Sequence, residues 1–362
     1  MNEFMVIRPL NVDTESRGRL SDILGYALKG RCGGVIRTKE EFEKTDLRGK
    51  RILFAVSIGR SGINTEYYRI LRAIRLDKKC FEGCVAGVIV DGSGRLYTKN
   101  VSRELVLAAN MSGCAFPGRP LVEAVGDLTN FNIIARVMAV DNMTAYMNSA
   151  LDLADRVLCF RKKAVEHPKL LAIHAGNSST SNTLELWHMV KHRMDGMECR
   201  EISVRDGEVY DCRGCSYETC LHLGESGKCF YGGVITREVY PAIKECDGLV
   251  MVCPNYNDAV SANLSAFINR LTALFRVQSF YEKRLFGVIV SGYSGSDIIA
   301  QQLISSLCMN KTFMLPPYFA LMETANDPHS IISIPRIQDR VYEFAKRTER
   351  EFRADSCKDG II

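Results

Sequence analysis

The chain has 362 residues, a length that favours two domains over one, with 46% hydrophobic and 25% charged residues. Its net charge of +5 is scattered, with acids beside bases as in Glu40, Glu41, Glu43 and Lys44, which excludes the dense basic patch of a nucleic-acid binder. No apolar run approaches the roughly 20 residues that span a bilayer, and the first residues carry Glu3 and Arg8 in place of a signal-peptide core. The expected setting is therefore cytoplasmic, where the fourteen cysteines read as thiols, metal ligands or redox groups before disulfides.

In chain order, residues 1–48 read as a charged N-terminal extension with a short helix near Leu20–Lys29. Arg51–Ile58 is the first clear β-rich run. A loop follows at Gly59–Gly62, then a helix from Asn64–Thr65, with further strand-like runs at Val85–Val90 and Leu121–Val125. The pattern then returns: Leu170–His174, a loop at Gly176–Thr183, a helix from Leu184, and strands at Gly248–Val252 and Phe286–Val290. Short buried runs between helices predict parallel sheets covered on both faces.

The two halves read as an internal repeat. Gly59 to Thr65 answers Gly176 to Thr183, Cys84–Val90 answers Cys246–Val252, and Gly126 answers Gly292. Each half closes with a helix, near Met143–Cys159 and Ile337–Phe352. The expected domains are 49–165 and 166–362, the second with an insertion at about 205–232.

A strand ending in a glycine-containing loop that opens a helix is a generic anion site. Here Asn177-Ser-Ser-Thr-Ser-Asn-Thr183 offers neutral donors and no lysine, so it is neither a Walker A loop nor a GxGxxG dinucleotide loop. A terminal phosphate monoester suits such a loop. The plainer alternative is a polar loop that merely caps the helix.

That loop, with Asp247-Gly-Leu-Val-Met-Val-Cys-Pro-Asn-Tyr-Asn257 and the helix Val260-Ser-Ala-Asn-Leu-Ser-Ala-Phe-Ile-Asn-Arg270, resembles the NADPH-dependent FMN reductase family. The likeness covers about residues 168–335 and is nearest to the iron-sulfur flavoprotein branch. It implies a flavodoxin-like fold for that segment; with the internal repeat, the expected architecture is tandem flavodoxin-like doubly wound sheets, each a three-layer αβα fold, with the first repeat degenerate. It also implies FMN at the carboxyl ends of the second sheet's strands, as open α/β sheets favour. Asn177, Ser178, Thr180, Ser181, Asn182 and Thr183 would hold the phosphate. Pro254, Asn255, Tyr256 and Asn257 would border the flavin ring, and Gly292, Tyr293 and Ser294 would form a third loop beside it.

Cys212, Cys215, Cys220 and Cys229 lie within eighteen residues. Thiolates so close can converge on an iron–sulfur cube or a tetrahedral zinc. A metal-free remnant is the alternative, and a redox dithiol at Cys212 and Cys215 is a third reading. The resemblance favours a [4Fe-4S] cluster, since iron-sulfur flavoproteins carry a compact four-cysteine motif at this place. The remaining cysteines read as packed thiols, with Cys253 singled out because it abuts Pro254. His188 and His192 are four apart without an intervening His-Glu pattern and read as solvent-exposed.

The expected function is an FMN-dependent oxidoreductase. It would take electrons from NAD(P)H or a small carrier and pass them to a quinone, flavin, oxygen or protein, with no side chain assigned as acid or base. The rivals are a non-enzymatic FMN/iron-sulfur electron carrier and a redox-inactive binding protein that keeps the fold. Flavodoxin-like reductases commonly dimerise, so the first repeat is expected to act as an intramolecular pseudo-dimer partner. Neither nucleic acid nor membrane is expected as a partner, and further homo-oligomerisation is left open.

Overall fold

A computed structural model describes residues 3–11 and 17–353. It has two compact units, Met1–Phe160 with Leu315–Tyr318, and Arg161–Met314 with Phe319–Ile362. The first unit runs β1 (Phe4–Ile7), α1 (Arg17–Leu28), β2 (Cys32–Ile36), α2 (Lys39–Lys44), β3 (Arg51–Ile58) and α3 (Thr65–Leu76). It continues through β4 (Val85–Gly92), α4 (Thr98–Asn110), β5 (Leu121–Ala124), α5 (Asn132–Met138) and α6 (Asn142–Cys159). The second runs β6 (Lys169–His174), α7 (Asn182–Lys191), β7 (Glu198–Ser203), α8 (Tyr217–Glu225) and α9 (Tyr240–Glu245). Then come β8 (Gly248–Asn255), α10 (Ala262–Phe275), β9 (Arg284–Ser291), α11 (Ser296–Leu303), β10 (Ala320–Thr324) and α12 (Ile337–Phe352).

Each unit has one five-stranded parallel sheet, in the orders β2-β1-β3-β4-β5 and β7-β6-β8-β9-β10. Numbered within each unit, both read 2-1-3-4-5, the flavodoxin-like doubly wound order. The central strands β3, β4, β8 and β9 are apolar along their middles, with polar residues such as Arg51, Asp91, Asn255 and Arg284 confined to their ends, and are buried at nearly every position, as strands covered on both faces must be. In the second unit, Leu170, Ala172, Val250, Val252, Phe286 and Val288 face Trp187 and Val190 of α7 and Val341 and Phe344 of α12. Full burial of each large side chain contributes about 1.5–3 kcal/mol. No helix among the described residues is long and apolar enough to cross a membrane.

Two expectations need correction. Residues 1–48 are not an extension: they carry β1, α1, β2 and α2, so Arg51–Ile58 is the third strand of its sheet. The proposed repeat consequently slips, by two strands in chain order at its first loop and by one thereafter. β3 answers β8, β4 answers β9 and β5 answers β10, so the loop at Gly59–Asn64 answers the one after Asn255, not the phosphate loop. The counterpart of the phosphate loop follows β1 and includes residues 12–16, outside the described residues. The connection 204–247, between β7 and β8, is longer than its counterpart 37–50.

Candidate functional site

β6 delivers its chain to the carboxyl edge of the second sheet, where residues 175–181 turn into α7. The turn is built locally. The Asn177 side-chain carbonyl accepts from Ser179 N (3.1 Å) and Ser179 Oγ (2.9 Å), and the Asn177 backbone carbonyl accepts from Ser181 N (3.0 Å). Ser181 is the N-cap, its Oγ accepting from Leu184 N at 3.3 Å. A Cβ on Gly176 would stand 2.8 Å from that Oγ, so glycine is what lets the strand end approach the cap. Asn182, 7% exposed, spends its side chain on the loop after β10. Its Nδ2 donates to Asp327 O (2.8 Å) and its Oδ1 accepts from Ile331 N (3.3 Å). The first N–H groups of α7 and the hydroxyls of Thr180 and Ser181 could hold an anion here.

The loop after β8 is a tight reversal. Tyr256 pairs with Ala259, and Asn257 and Asp258 between them have φ of +54° and +57°, the two consecutive left-handed positions of a type I′ turn. Asn and Asp tolerate that conformation. The Asn255 amide ties this loop to the one after β9, donating to Asp258 Oδ1 (3.1 Å), Ser291 Oγ (3.2 Å) and Ser294 O (2.9 Å). Its Oδ1 is buried and without a partner, an acceptor that a ligand N–H can satisfy.

These loops enclose a cavity of about 520 Å³, within the roughly 300–1,000 Å³ of small-molecule sites. It is lined by Thr180–Thr183, Pro254–Asn257, Gly292, Tyr293 and Ser294, so eleven of the thirteen expected flavin residues converge. Asn177 and Ser178 do not line it; Asn177 shapes the loop from behind. Asp258, Val290, Ala325 and Asn326 also line it and were missed. Ala325 and Asn326 follow β10, a strand the pattern did not reveal, whereas the Asn257-Asp258 turn signal was readable. Tyr256 and Tyr293 are 58% and 83% exposed, which leaves two aromatic faces free to cover a planar ligand. Among the described residues, Asp258 is the only charged one lining the cavity.

A larger cavity of about 660 Å³ lies in the first unit between Phe42–Arg48 and the stretch from Ala73 to Cys80. Those segments lead into β3 and β4, so it sits at the amino edge of that sheet, opposite the edge where open α/β sheets bind ligands. At the carboxyl edge of the first unit, the fully buried Asp91 of β4 takes Arg19 Nη2 at 2.7 Å and Nε at 2.9 Å, while Arg19 Nη1 donates to Gly126 O at 2.9 Å.

Behind the phosphate loop, Glu201 of β7 accepts from Trp187 Nε1 (2.9 Å) and stands 3.2 Å from His188 Nε2 and 3.6 Å from His174 Nε2. Burial would raise the Glu201 pKa, but these hydrogen bonds and imidazoles bring it below its usual value. Burial holds His174 below the usual imidazole value, against the pull of Glu201. His188 is thus half-exposed and engaged, and His192 is exposed as expected. Cys253 is fully buried and its thiol is pushed up by burial; it packs as a small hydrophobe and does not line the cavity. Cys357 lies outside the described residues.

The four clustered cysteines line another pocket, of about 160 Å³, with Leu223, Phe230, Tyr231 and, from α10 and its end, Asn269, Arg270, Thr272, Ala273 and Arg276. Asp211 Oδ1 fixes the first of them by accepting from Cys212 N (2.7 Å) and from Asn269 Nδ2 on α10 (2.9 Å). Ser216 then caps α8, which carries Cys220. Gly224 seats α8 against α10, where a Cβ would meet Ala273 O at 2.4 Å. Among the described residues, no three His, Cys, Asp or Glu side chains stand in metal-ligating geometry.

A curated iron-sulfur flavoprotein of Archaeoglobus fulgidus is 29% identical over 119 residues, covering 32% of this chain and 58% of that protein; the chain thus spans little more than half the length of this relative. Among solved structures, an NAD(P)H:quinone oxidoreductase from Methanothermobacter marburgensis is 15% identical with a TM-score of 0.37, covering 51% of this chain and 96% of that one. A putative quinone reductase from Klebsiella pneumoniae is 13% identical with a TM-score of 0.37, covering 52% and 86%. Residues 168–327 match the model of the NADPH-dependent FMN reductase family, and the resemblance carried by the phosphate loop and the Pro254–Asn257 turn is borne out over that segment.

Proposed function

We propose that the second unit binds FMN in the 520 Å³ cavity and that the chain is an NAD(P)H-dependent oxidoreductase. The observation that carries this reading is the convergence of three separate loops on one cavity: a hydroxyl-rich helix N-terminus on one side, and the Pro254–Asn257 and Gly292–Ser294 loops on the other. The residues fit the cofactor. The α7 N-terminus supplies neutral N–H and O–H donors for a phosphate, Asn255 Oδ1 is an unsatisfied acceptor for a ring N–H, and Tyr256 and Tyr293 are free to pack a ring face. When bound, FMN supplies a group that accepts a hydride and releases electrons in pairs or singly. The chain's own residues bind the phosphate, orient the ring through the Asn255-tied loops and shield it with the tyrosines. The acceptor is a quinone, another flavin, oxygen or a protein.

Four cysteines on one pocket have the donor chemistry for an iron–sulfur cluster, and Cys212, Cys215, Cys220 and Cys229 are the proposed ligands. This pocket also favours a second reading, in which the chain relays single electrons between partners. The first unit is proposed to be a partner unit without a second flavin site. The stretch after β1 reads Val12-Asp-Thr-Glu-Ser16, with two carboxylates in place of the hydroxyl-rich set. Full-length protein purified without oxygen would be tested by absorption, iron and sulfide content, and NAD(P)H oxidation. Flavin bands with NAD(P)H turnover support the enzyme; flavin with iron and rapid carrier-dependent reduction but negligible NAD(P)H turnover supports the relay. A colourless protein that refuses added FMN refutes both.

A further inference from the structure

The cysteine pocket holds a charge that the protein leaves unbalanced. Arg270 on α10 is 1% exposed and lines the pocket. Its Nη2 donates to Gly232 O at 2.6 Å and its Nη1 to Tyr210 O at 3.4 Å, and its Nε has no partner. Both partners are neutral carbonyls, and among the described residues Arg270 forms no ion pair with a carboxylate. One turn and a half further on, Arg276 lines the same pocket, its guanidinium 4.2 Å from the Tyr217 ring centroid and its Nε also buried without a partner. The nearby Asp211 carboxylate is taken by Asn269 and Cys212 N.

A buried guanidinium costs several kcal/mol unless an anion compensates it. Here the other wall of the pocket is four sulfurs. Neutral thiols would leave the buried Arg270 uncompensated, whereas thiolates on a metal centre would answer it. The buried Tyr240 hydroxyl, which donates to Arg270 O at 2.5 Å, helps hold this part of α10 in place.

We propose that Arg270, supported by Arg276, is the counter-ion of an anionic thiolate-bound iron–sulfur centre in this pocket, and a positioning residue that makes the centre easier to reduce. The inference rests on the iron–sulfur reading of the four cysteines. Each added electron increases the negative charge of the centre, and fixed positive charge with a free N–H close to the sulfurs favours that reduced form. Flavin chemistry is not required for the effect.

The test uses the full chain, reconstituted anaerobically with ferrous iron and sulfide, as wild type and as Arg270→Gln, Arg270→Lys and Arg276→Gln. Iron and sulfide per chain are measured, and the centre is titrated with dithionite under electron paramagnetic resonance. FMN content and thermal melting serve as controls of folding. The expected result is lower loading in Arg270→Gln, and in whatever loads, a reduced-to-oxidised ratio about tenfold lower at fixed potential, equivalent to about 59 mV. Arg270→Lys, which keeps the charge, should recover part of the shift, and Arg276→Gln should show a smaller one. If Arg270→Gln does not fold, the lysine variant and the half-exposed Arg276 decide. Wild-type loading with unchanged content and potential in the folded variants overturns the role of the arginines alone. A wild-type chain that takes up no iron and sulfide overturns the iron–sulfur reading beneath it.

Discussion

Gly295 is the position at which the flavin-side architecture is most exposed to a single methyl group. It stands at φ +88°, and a Cβ there would lie 2.2 Å from Asp258 Oδ1 and 2.8 Å from Asn255 Nδ2. Gly295→Ala therefore carries two costs. The left-handed backbone costs an L-residue about 1–2 kcal/mol. The Asp258 carboxylate must also move, which breaks its 3.1 Å hydrogen bond with Asn255, a loss of about 1 kcal/mol. The sum is roughly 2–3 kcal/mol, and if all of it falls on ordering the two loops around FMN, the dissociation constant rises by roughly 30- to 150-fold. Fluorescence titration of apoprotein with FMN measures it. Asp258→Gly in the same background removes the obstructing carboxylate and should return part of the affinity. An FMN affinity within twofold of wild type, with an unchanged melting temperature, would refute the claim that these loops are held in contact by the absence of a Cβ.

Ser181→Ala removes the N-cap acceptor of α7, at about 1 kcal/mol, and should weaken FMN more than riboflavin; equal losses for both ligands in a binding titration would count against the phosphate loop. Gly224→Ala forces α8 away from Ala273 O, a strain of about 1–3 kcal/mol, and should lower iron uptake while FMN affinity is kept, as read by parallel iron assay and flavin titration. His174 has a folded pKa below its usual value because burial disfavours the cation. Its contribution to stability is therefore present above about pH 6.5 and lost as pH falls through the lowered folded value. His174→Gln should flatten the fall of melting temperature between pH 7.5 and 5.5, and an unaltered slope would show that other groups govern it. Deleting residues 1–160 should reduce turnover if the first unit is a partner; unchanged turnover and FMN affinity in the remaining chain would remove that role.

Legibility in the sequence followed burial. The central strands β3, β4, β8 and β9 are continuous apolar runs, and all four were anticipated close to their observed bounds. The strands β2 and β7 lie at sheet edges, where one flank has no neighbour and less apolar surface is needed. Cys32–Ile36 contains two glycines and is mostly exposed, and Glu198–Ser203 has three charged residues among its six and one buried residue, Ile202. β1 and β10 are only four and five residues long. Missing β1 and β2 displaced the internal repeat, because a repeat aligned on its visible strands has no other anchor. The flavin-side loops were legible because their chemistry is local: hydroxyls before a helix, and Pro-Asn-Tyr-Asn after a strand. Asn326 and the second task of Asn182 depend on β10 and the chain beyond it, and no local pattern announces them. The unbalanced charge of Arg270 is likewise visible only once burial is known.

Helix α10 begins just beyond the Asn257–Asp258 turn of one pocket and presents Asn269, Arg270 and Ala273 to the other. It therefore works as a ruler: at 1.5 Å per residue, Arg270 stands about 12 Å along the axis from Ala262. Inserting a single residue between them would lengthen that gap only slightly but would swing Arg270 by about 100°, off the face that meets the cysteines. The segment should therefore tolerate changes of side chain on its solvent face and resist any change of length.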